Sequence, residues 1–191
     1  MNIRPAYATD SDTLAYLTNI ASEGMAEAIW EHLALAKETP LQAGARLIKT
    51  HDGIFSYRNT SVVVNQQRIC GLMSGRHLVG SNLPVSLDEF LPFIRPLIKL
   101  EQNVQDSWNI TALAVDQQYQ HQGGIIQLLQ TAEQLAVNLG LQKLSFAIAS
   151  ENAVLNEYVE QYGFHEVAHE TFVRFGSLKH NGLWRMMVKV I

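Results

Sequence analysis

Residues 108–140 read WNITALAV, DQQYQHQGG and IIQLLQTAEQLAVNLG, and this stretch decides the fold. Its first part is apolar and partly alternating, which predicts a half-buried strand that ends at Val115. Its last part carries apolar residues at helical spacing and predicts a helix that Gly140 ends as a C-terminal cap. The predicted buried stripe of this helix comprises Ile125, Leu128, Leu129, Ala132, Leu135, Ala136 and Leu139.

Gly123 and Gly124 lie where the loop passes into this helix. The first turn of a helix has backbone N–H groups without intrahelical acceptors, and the helix dipole adds partial positive charge there. A strand, a glycine turn and a helix N-terminus therefore form a device that can bind phosphate. The same glycines also suit an ordinary strand-to-helix connection, and this stretch alone favours that simpler interpretation.

Strands and helices alternate along the rest of the chain. Predicted strands comprise residues 2–6, 60–65, 68–76, 141–150, 166–176 and 182–191. Predicted helices comprise residues 13–21, 25–36 and 39–48, a last helix that begins near Asn152, and one or two short helices between 87 and 100. In the second helix, the expected buried residues are Ile29, Trp30 and Leu33. This order predicts an α/β sandwich with a mixed sheet, in a single domain over residues 1–191.

Composition narrows the class of protein. The chain has 191 residues, 47% of them hydrophobic, which is enough for a sizeable core. Its net charge of −4 provides no basic field for nucleic acid or for an anionic membrane, so neither is an expected partner. A single cysteine, Cys70, excludes an internal disulfide and is expected to be an inert core residue. The chain starts without a hydrophobic leader, and its most apolar candidate span, residues 90–100, is too short, so a soluble cytoplasmic protein is predicted.

Two motifs connect this order of elements to a known family. The loop Gln120-His121-Gln122-Gly123-Gly124-Ile125 follows a strand that ends in a valine. It resembles the R/Q-x-x-G-x-G/A loop of the GNAT acyltransferase superfamily: Gln120 and Gly123 match, and Ile125 stands where that family has Gly or Ala.

The second motif lies on the last predicted helix. The family usually shows N-x-x-A-x-x-x-Y-x-x-x-G-F, and Asn152, Gly163 and Phe164 match its two ends. Leu155 and Val159 replace the alanine and the tyrosine. The order of predicted elements is similar to the GNAT layout over nearly the whole chain, which implies a GNAT-like α/β sandwich with a mixed, mostly antiparallel central sheet flanked by helices.

The resemblance implies acetyl-CoA as cosubstrate, with no metal. Main-chain N–H groups of the loop would hold the pyrophosphate, and a bulge in the preceding strand would free backbone groups for the pantetheine arm and the thioester oxygen. Asn152 would hydrogen-bond the cofactor, although a helix N-cap is an equally good and compatible role for it. The implied cofactor-binding residues are Leu113, Ala114, Val115, Gln120, His121, Gln122, Gly123, Gly124, Ile125, Ile126 and Asn152.

The groups that would move protons are less well defined. Many GNAT enzymes use a tyrosine at the position of Val159 to protonate the leaving thiolate, and some relatives have a carboxylate at the position of Ala147. Tyr158 and Tyr162 are the candidate catalytic acids, and packing is the alternative role for each. Candidates from the acceptor side are Glu23, Glu27 and His32.

Two functions follow from the resemblance. The first is an N-acetyltransferase that moves an acetyl group from acetyl-CoA to a small amine or a peptide α-amine by direct attack. The alternative is a GNAT-like module that binds an acyl-CoA as a sensor or structural ligand and catalyses little. A homodimer is also expected, because the C-terminal strands, especially the apolar segment 183–191, are predicted to be exposed edge strands.

Overall fold

The structure is a computed structural model that describes residues 1–80, 86–175 and 182–191. Its strands are β1 (Asn2–Pro5), β2 (Thr60–Asn65), β3 (Arg68–Leu78), β4 (Ser107–Val115), β5 (Lys143–Ala149), β6 (His165–Thr171) and β7 (Leu183–Val190). Its helices are α1 (Ser11–Ala21), α2 (Met25–Leu33), α3 (Pro40–Ile48), α4 (Arg95–Gln102), α5 (Gly124–Asn138) and α6 (Ala153–Gln161). Short 3-10 turns comprise Ala8–Asp10, Tyr57–Asn59, Leu87–Glu89 and Gln117–Gln122.

The strands form a sheet in the order β1-β2-β3-β4-β5-β7-β6. Strand β1 pairs with β2, β2 with β3, β5 with β7 and β6 with β7 in antiparallel fashion, whereas β4 and β5 are parallel. The predicted α/β fold with a mixed, mostly antiparallel sheet is therefore confirmed.

The chain divides into two compact units. One comprises Met1–Arg76 and Thr111–Thr131, and the other comprises His77–Ile110 and Ala132–Ile191. The single domain that the sequence indicates over residues 1–191 stays a prediction.

The first unit has a core in which α1, α2 and α3 pack with β2 and β3. Trp30 of α2 is fully buried there and meets Phe55 edge-on, with 5.7 Å between ring centroids. Gly44 of α3 lies directly against the indole, since a Cβ on Gly44 would come within 2.6 Å of three Trp30 ring carbons. Glycine at this position allows the two helices to pack closely.

The second unit is organised around β5, β7 and β6. Leu144, Met186 and Met187 are fully buried in it. Phe172 stacks on Trp184 with a centroid distance of 4.6 Å, next to a contact between Phe93 and Phe175 at 4.9 Å. Cys70, in the first unit, is a buried thiol whose pKa is raised by desolvation, as expected for an inert core residue.

Two residues that the sequence predicts to be buried, each the last of its helical stripe, are exposed in the structure. Helix α2 ends at Leu33, which is 47% exposed, and Leu139 is 55% exposed because α5 already ends at Asn138. Gly140 has a φ of 71°, and the N–H of Leu141 donates to the Ala136 carbonyl at 2.9 Å. This left-handed cap confirms the predicted end of the helix and turns Leu139 toward solvent.

Of the two C-terminal strands, β6 lies at the edge of the sheet and β7 does not. Strand β7 pairs with β5 on one side and with β6 on the other, so the apolar segment 183–191 lies inside the sheet. Strand β6 occupies the edge and carries an irregularity between Glu166 and Ala168, a feature that discourages further pairing. It ends at Thr171, and residues 176–181, which include the end of the predicted strand, lie outside the described residues. The homodimer stays a prediction without this support.

Within the part of the chain that the structure describes, no helix combines the length and apolarity that a bilayer crossing requires. The cytoplasmic location and the absence of a nucleic-acid partner stay predictions.

We expect Gly44→Ala to destabilise the protein. Alanine favours a helix over glycine by about 1 kcal/mol, but the added methyl group overlaps the buried Trp30 ring, which costs about 1–3 kcal/mol. Urea denaturation followed by circular dichroism measures the difference. In a Trp30→Leu background the overlap is absent, so the same substitution should be neutral or stabilising there; equal losses in both backgrounds would contradict the packing explanation.

Candidate functional site

The candidate site begins at the C-terminal part of β4. The parallel ladder between β4 and β5 joins Trp108 with Leu144, Asn109 with Ser145 and Ile110 with Phe146. Leu113, Ala114 and Val115 lie beyond the last of these pairs along β4. The side chains of Leu113 and Val115 are 2% and 5% exposed, so any contact of this segment with a ligand would be through its main chain.

Strand β3 approaches this part of β4 closely. A Cβ on Gly71 would lie 2.8 Å from the carbonyl oxygen of Ala114 and 2.8 Å from Cγ2 of Val115. The N–H of Asp116 donates to the Cys70 carbonyl at 2.7 Å. Glycine at position 71 therefore allows β3 to hold the end of β4 at short range.

The loop after β4 is fixed by its own side chains. The Asp116 carboxylate accepts a hydrogen bond from the Gln118 N–H at 3.2 Å and caps the 3-10 turn. The side-chain amide of Gln120 donates to the Val115 carbonyl at 3.3 Å. Gln120, one of the two loop residues that match the family motif, thus ties the turn to the end of β4.

Gly123 then turns the chain into α5. It has a φ of 81°, a left-handed conformation that glycine adopts without strain, and no heavy atom lies within 4 Å of the position of a Cβ. The N–H of Gln127 donates to the Gly123 carbonyl at 3.1 Å. The N–H groups of residues 123–126, which we call the amide cradle, precede this bond and have no acceptors within the helix.

The amide cradle provides N–H donors of the kind that bind phosphate at helix N-termini. Ile125, which replaces the small residue of the motif, is 4% exposed and packs its side chain into the core. Residues 116–131 contain neither Lys nor Arg, so this segment itself would attract an anion only through its N–H groups and the helix dipole, while Arg68 of β3 lies 3.7 Å from the Asp116 carboxylate. His121 and Gln122 complete the loop that the sequence predicts to hold pyrophosphate.

Asn152 lies in the second unit as the N-cap of α6. Its side-chain oxygen accepts a hydrogen bond from the Leu155 N–H at 3.1 Å. The capping role expected for this residue is confirmed, and its role toward a cofactor stays a proposal.

A buried asparagine that the sequence analysis missed lies one turn further along α6. Asn156 is 6% exposed, its Nδ2 donates to the carbonyls of Ala149 and Asn152 at 2.9 and 2.8 Å, and its Oδ1 accepts from Arg185 at 2.6 Å. Arg185 also contacts Glu166 and Glu160, at 2.6 and 3.0 Å. The spacing of two asparagines on one helix face was visible in the sequence, but the arginine is distant along the chain.

The two candidate tyrosines have different surroundings. The Tyr162 hydroxyl donates to Glu133 at 2.7 Å, and Nζ of Lys189 lies 2.8 Å from the same carboxylate oxygen and 4.0 Å from the centroid of the phenol ring. Burial and the Glu133 hydrogen bond raise the pKa of Tyr162, so this phenol keeps its proton at neutral pH. Tyr158 is half-buried, and Val159 is fully buried.

The acceptor-side candidates make local contacts. Glu27 accepts from the side chain of Asn19 at 2.8 Å, and the His32 ring lies 2.8 Å from the Ala28 carbonyl. Glu23 precedes α2 with a φ of 54°. Across residues 1–80, 86–175 and 182–191, no group of three or more His, Cys, Asp or Glu side chains is arranged to hold a metal ion.

Comparisons with known proteins agree on an acetyltransferase family. A model of the acetyltransferase (GNAT) family matches residues 43–164, whereas a search of curated proteins gives no match. Ribosomal-protein-alanine N-acetyltransferase from Brucella melitensis is 20% identical, with both chains fully covered (100%) and a TM-score of 0.64. N-acetyltransferase from Staphylococcus aureus Mu50 is 15% identical, with a TM-score of 0.65. The match covers 99% of this chain and 100% of the S. aureus chain.

A third similar structure is N-acetylglutamate synthase from Neisseria gonorrhoeae, complexed with coenzyme A and N-acetyl-glutamate. It is 15% identical over 99% of this chain and 34% of that chain, with a TM-score of 0.56. At these identities the structural likeness shows a shared fold.

Glu133→Gln tests the Tyr162 cluster through the pH dependence of stability. The hydrogen bond from Lys189, followed by the one from Tyr162, lowers the pKa of Glu133 in the folded protein. A lowered carboxyl pKa contributes stability above the unfolded value of about 4.3 and loses it as the pH falls through the folded value. Because these side chains are partly exposed, we expect a loss of about 1 kcal/mol at pH 7 that shrinks below about pH 4.

Urea denaturation of both proteins from pH 7 to pH 3 measures this difference. A loss that is the same at every pH would contradict a contribution from the ionised Glu133.

Proposed function

The chain belongs to the GNAT acetyltransferase family, and we propose that it transfers an acetyl group from acetyl-CoA to the amine of a small molecule or to a peptide α-amine. Family membership supports acetyl transfer in general. The amine acceptor and the details of catalysis belong to the proposal.

The amide cradle is the observation that carries this proposal. Gly123 is exposed with open space around the position of a Cβ, the Ile125 side chain is buried in the core, and the first-turn N–H groups of α5 have no intrahelical acceptors. We assign the pyrophosphate of acetyl-CoA to this loop, which comprises Gln120, His121, Gln122, Gly123, Gly124, Ile125 and Ile126. Asn152 is proposed to hydrogen-bond acetyl-CoA, as the family's matching asparagine implies.

Main-chain groups of Leu113, Ala114 and Val115 are proposed to bind the pantetheine arm and to polarise the thioester carbonyl. In the reaction, the amine lone pair forms a bond to the carbonyl carbon, and the bond from that carbon to sulfur breaks. The departing thiolate takes up one proton, and the amine loses one. A donor that stabilises the developing oxyanion contributes about 3–4 kcal/mol in comparable reactions.

Proton transfer is assigned to Tyr158 or Tyr162. The Tyr162 hydroxyl already donates to Glu133, and its raised pKa makes it a poor acid toward a thiolate. Tyr158 is therefore the better candidate of the two.

The alternative function, an acyl-CoA-binding module with little catalysis, is favoured by one observation. Val159, at the position where many relatives have the tyrosine acid, is fully buried, and its side chain can act neither as an acid nor as a hydrogen-bond donor. Thiol release from acetyl-CoA in the presence of a panel of amines distinguishes a transferase from a binding module.

Gly123→Glu should abolish acetyl-CoA binding, because the new carboxylate would stand in front of the amide cradle and repel phosphate. Isothermal titration of the purified chain with acetyl-CoA measures this. Gly140→Glu is the matched control: Gly140 has a φ of 71° and open space around its Cβ position, and it lies at the opposite end of α5. The control should bind as the wild type does, since both substitutions introduce the same charge and similar backbone strain. Loss of binding in both variants would contradict a phosphate site at Gly123, and no binding by the wild type would refute the proposed function.

We expect Tyr158→Phe to lower kcat by at least about tenfold, since general acid catalysis contributes about 10²–10⁴-fold to comparable reactions. Tyr162→Phe should leave kcat nearly unchanged and reduce the free energy of unfolding, because it removes a hydrogen bond to Glu133. Steady-state kinetics with the best amine of the panel measures both variants. The reverse pattern would assign the acid to Tyr162.

A further inference from the structure

We infer that Asn156, held in place by Arg185, is a positioning residue that fixes Asn152 and the turn from β5 into α6 for cosubstrate binding. This inference rests on the proposed function, in which Asn152 hydrogen-bonds acetyl-CoA. Asn156 itself is not assigned any contact with the cosubstrate.

The turn consists of residues 149–152, and Asn156 binds both of its ends. One Nδ2–H donates to the Ala149 carbonyl at the end of β5, and the other donates to the Asn152 carbonyl at the start of α6. The Asn152 N–H also donates to the Ala149 carbonyl, at 3.1 Å. A single side-chain amide thus fixes the distance between the last strand carbonyl and the N-cap residue.

Arg185 determines which way this amide points. Its Nη1 donates to Oδ1 of Asn156 at 2.6 Å, and a flipped amide would direct an NH₂ group at the guanidinium instead. The Asn156 side chain is 6% exposed, so a lost partner there is not readily replaced by water. The Arg185 contact therefore selects the orientation in which both carbonyls of the turn are bound.

The guanidinium is oriented from two other sides. Its Nε donates to Glu166 of β6, and its Nη2 donates to Glu160 of α6. The hydrogen bond from Arg185 also lowers the pKa of Glu166, which stays ionised at neutral pH. With its head group held by β6 and α6 and its main chain within β7, Arg185 is anchored to the sheet that presents β5.

Helix α6 has other means of starting, and this distinguishes positioning from simple stabilisation. The Asn152 side chain caps the Leu155 N–H, and the Asn156 N–H donates to the Asn152 carbonyl at 3.0 Å, both without the Asn156 side chain. Removal of the Asn156 donor should therefore preserve the helix while it loosens the turn. The effect should appear in cosubstrate affinity and should depend on Asn152.

Asn156→Asp is the test variant, because it has the same shape and keeps an oxygen acceptor for Arg185 but replaces the two donors. We expect the Kd for acetyl-CoA, measured by isothermal titration, to rise about tenfold, the loss typical of one misplaced hydrogen bond. Asn138→Asp at the exposed end of α5 makes the same change of charge on a helix and should bind as the wild type does. Circular dichroism establishes that each variant is folded at the titration temperature.

A double-mutant cycle with Asn152→Ala separates positioning from a general loss of structure. If Asn156 acts through Asn152, the Asp substitution should change the Kd by less than about twofold in the Asn152→Ala background. Equal effects of Asn156→Asp in both backgrounds would overturn the inference, and so would wild-type affinity of the folded single variant. If Asn156→Asp does not fold, Arg185→Lys is the second test variant. Lysine keeps the charge but cannot bind Asn156, Glu160 and Glu166 together, so the Kd for acetyl-CoA should rise about threefold. An unchanged Kd would then overturn the inference.

Failure of the inference and failure of the proposed function give different results. Wild-type binding that Gly123→Glu abolishes, together with no effect of Asn156→Asp, overturns the positioning role alone. If the wild type does not bind acetyl-CoA, both the inference and the proposed function are refuted.

Discussion

The left-handed backbone at Gly123 is the constraint on which the candidate site depends. At a φ of 81°, a residue with a Cβ is strained by about 1–2 kcal/mol. Glycine adopts this conformation without that strain, so the chain can leave the 3-10 turn and enter α5. The close approach of Gly71 to Ala114 and Val115 fixes the strand from which the loop departs. Two glycines far apart in the sequence thus determine the position of one helix N-terminus.

Polar side chains fix the second unit in a comparable way. The Tyr162 and Lys189 contacts with Glu133 join α6 and β7 to α5, and Arg185 joins β7 to β6 and α6. Such charge-assisted hydrogen bonds contribute about 1.5–3 kcal/mol each when sheltered and less when exposed. These hydrogen bonds matter more for the orientation of side chains than for stability. Arg185 orients the buried Asn156 amide, which hydrophobic packing alone would leave free to flip.

The sequence predicts much of the fold because its signals are local. The β4 alternation, the α5 periodicity and the Gly140 cap depend on neighbouring residues, and the structure agrees with them closely. The exposure of Leu139 was not predictable from periodicity, since the helix ends one residue earlier and the pattern continues beyond it. The interior place of β7 and the pairing of Asn156 with Arg185 depend on which strands become neighbours, and no local pattern contains that information.

The identity of the proton-transfer group matters less to the proposed reaction than the altered motif suggests. General acid catalysis contributes about 10²–10⁴-fold, or about 3–5 kcal/mol, whereas orientation of two bound reactants can contribute about 7–11 kcal/mol. The buried Val159 replaces the usual acid of the family, whereas the groups proposed to orient the cosubstrate, the amide cradle and the β4 main chain, do not depend on that side chain. In the proposed reaction, a chain without that acid would lose a factor of about 10²–10⁴ in rate but would keep the larger contribution from orientation. Selection on such a protein would act more strongly on the residues that fix the backbone, among them Gly71, Gly123 and Asn156, than on any single acid.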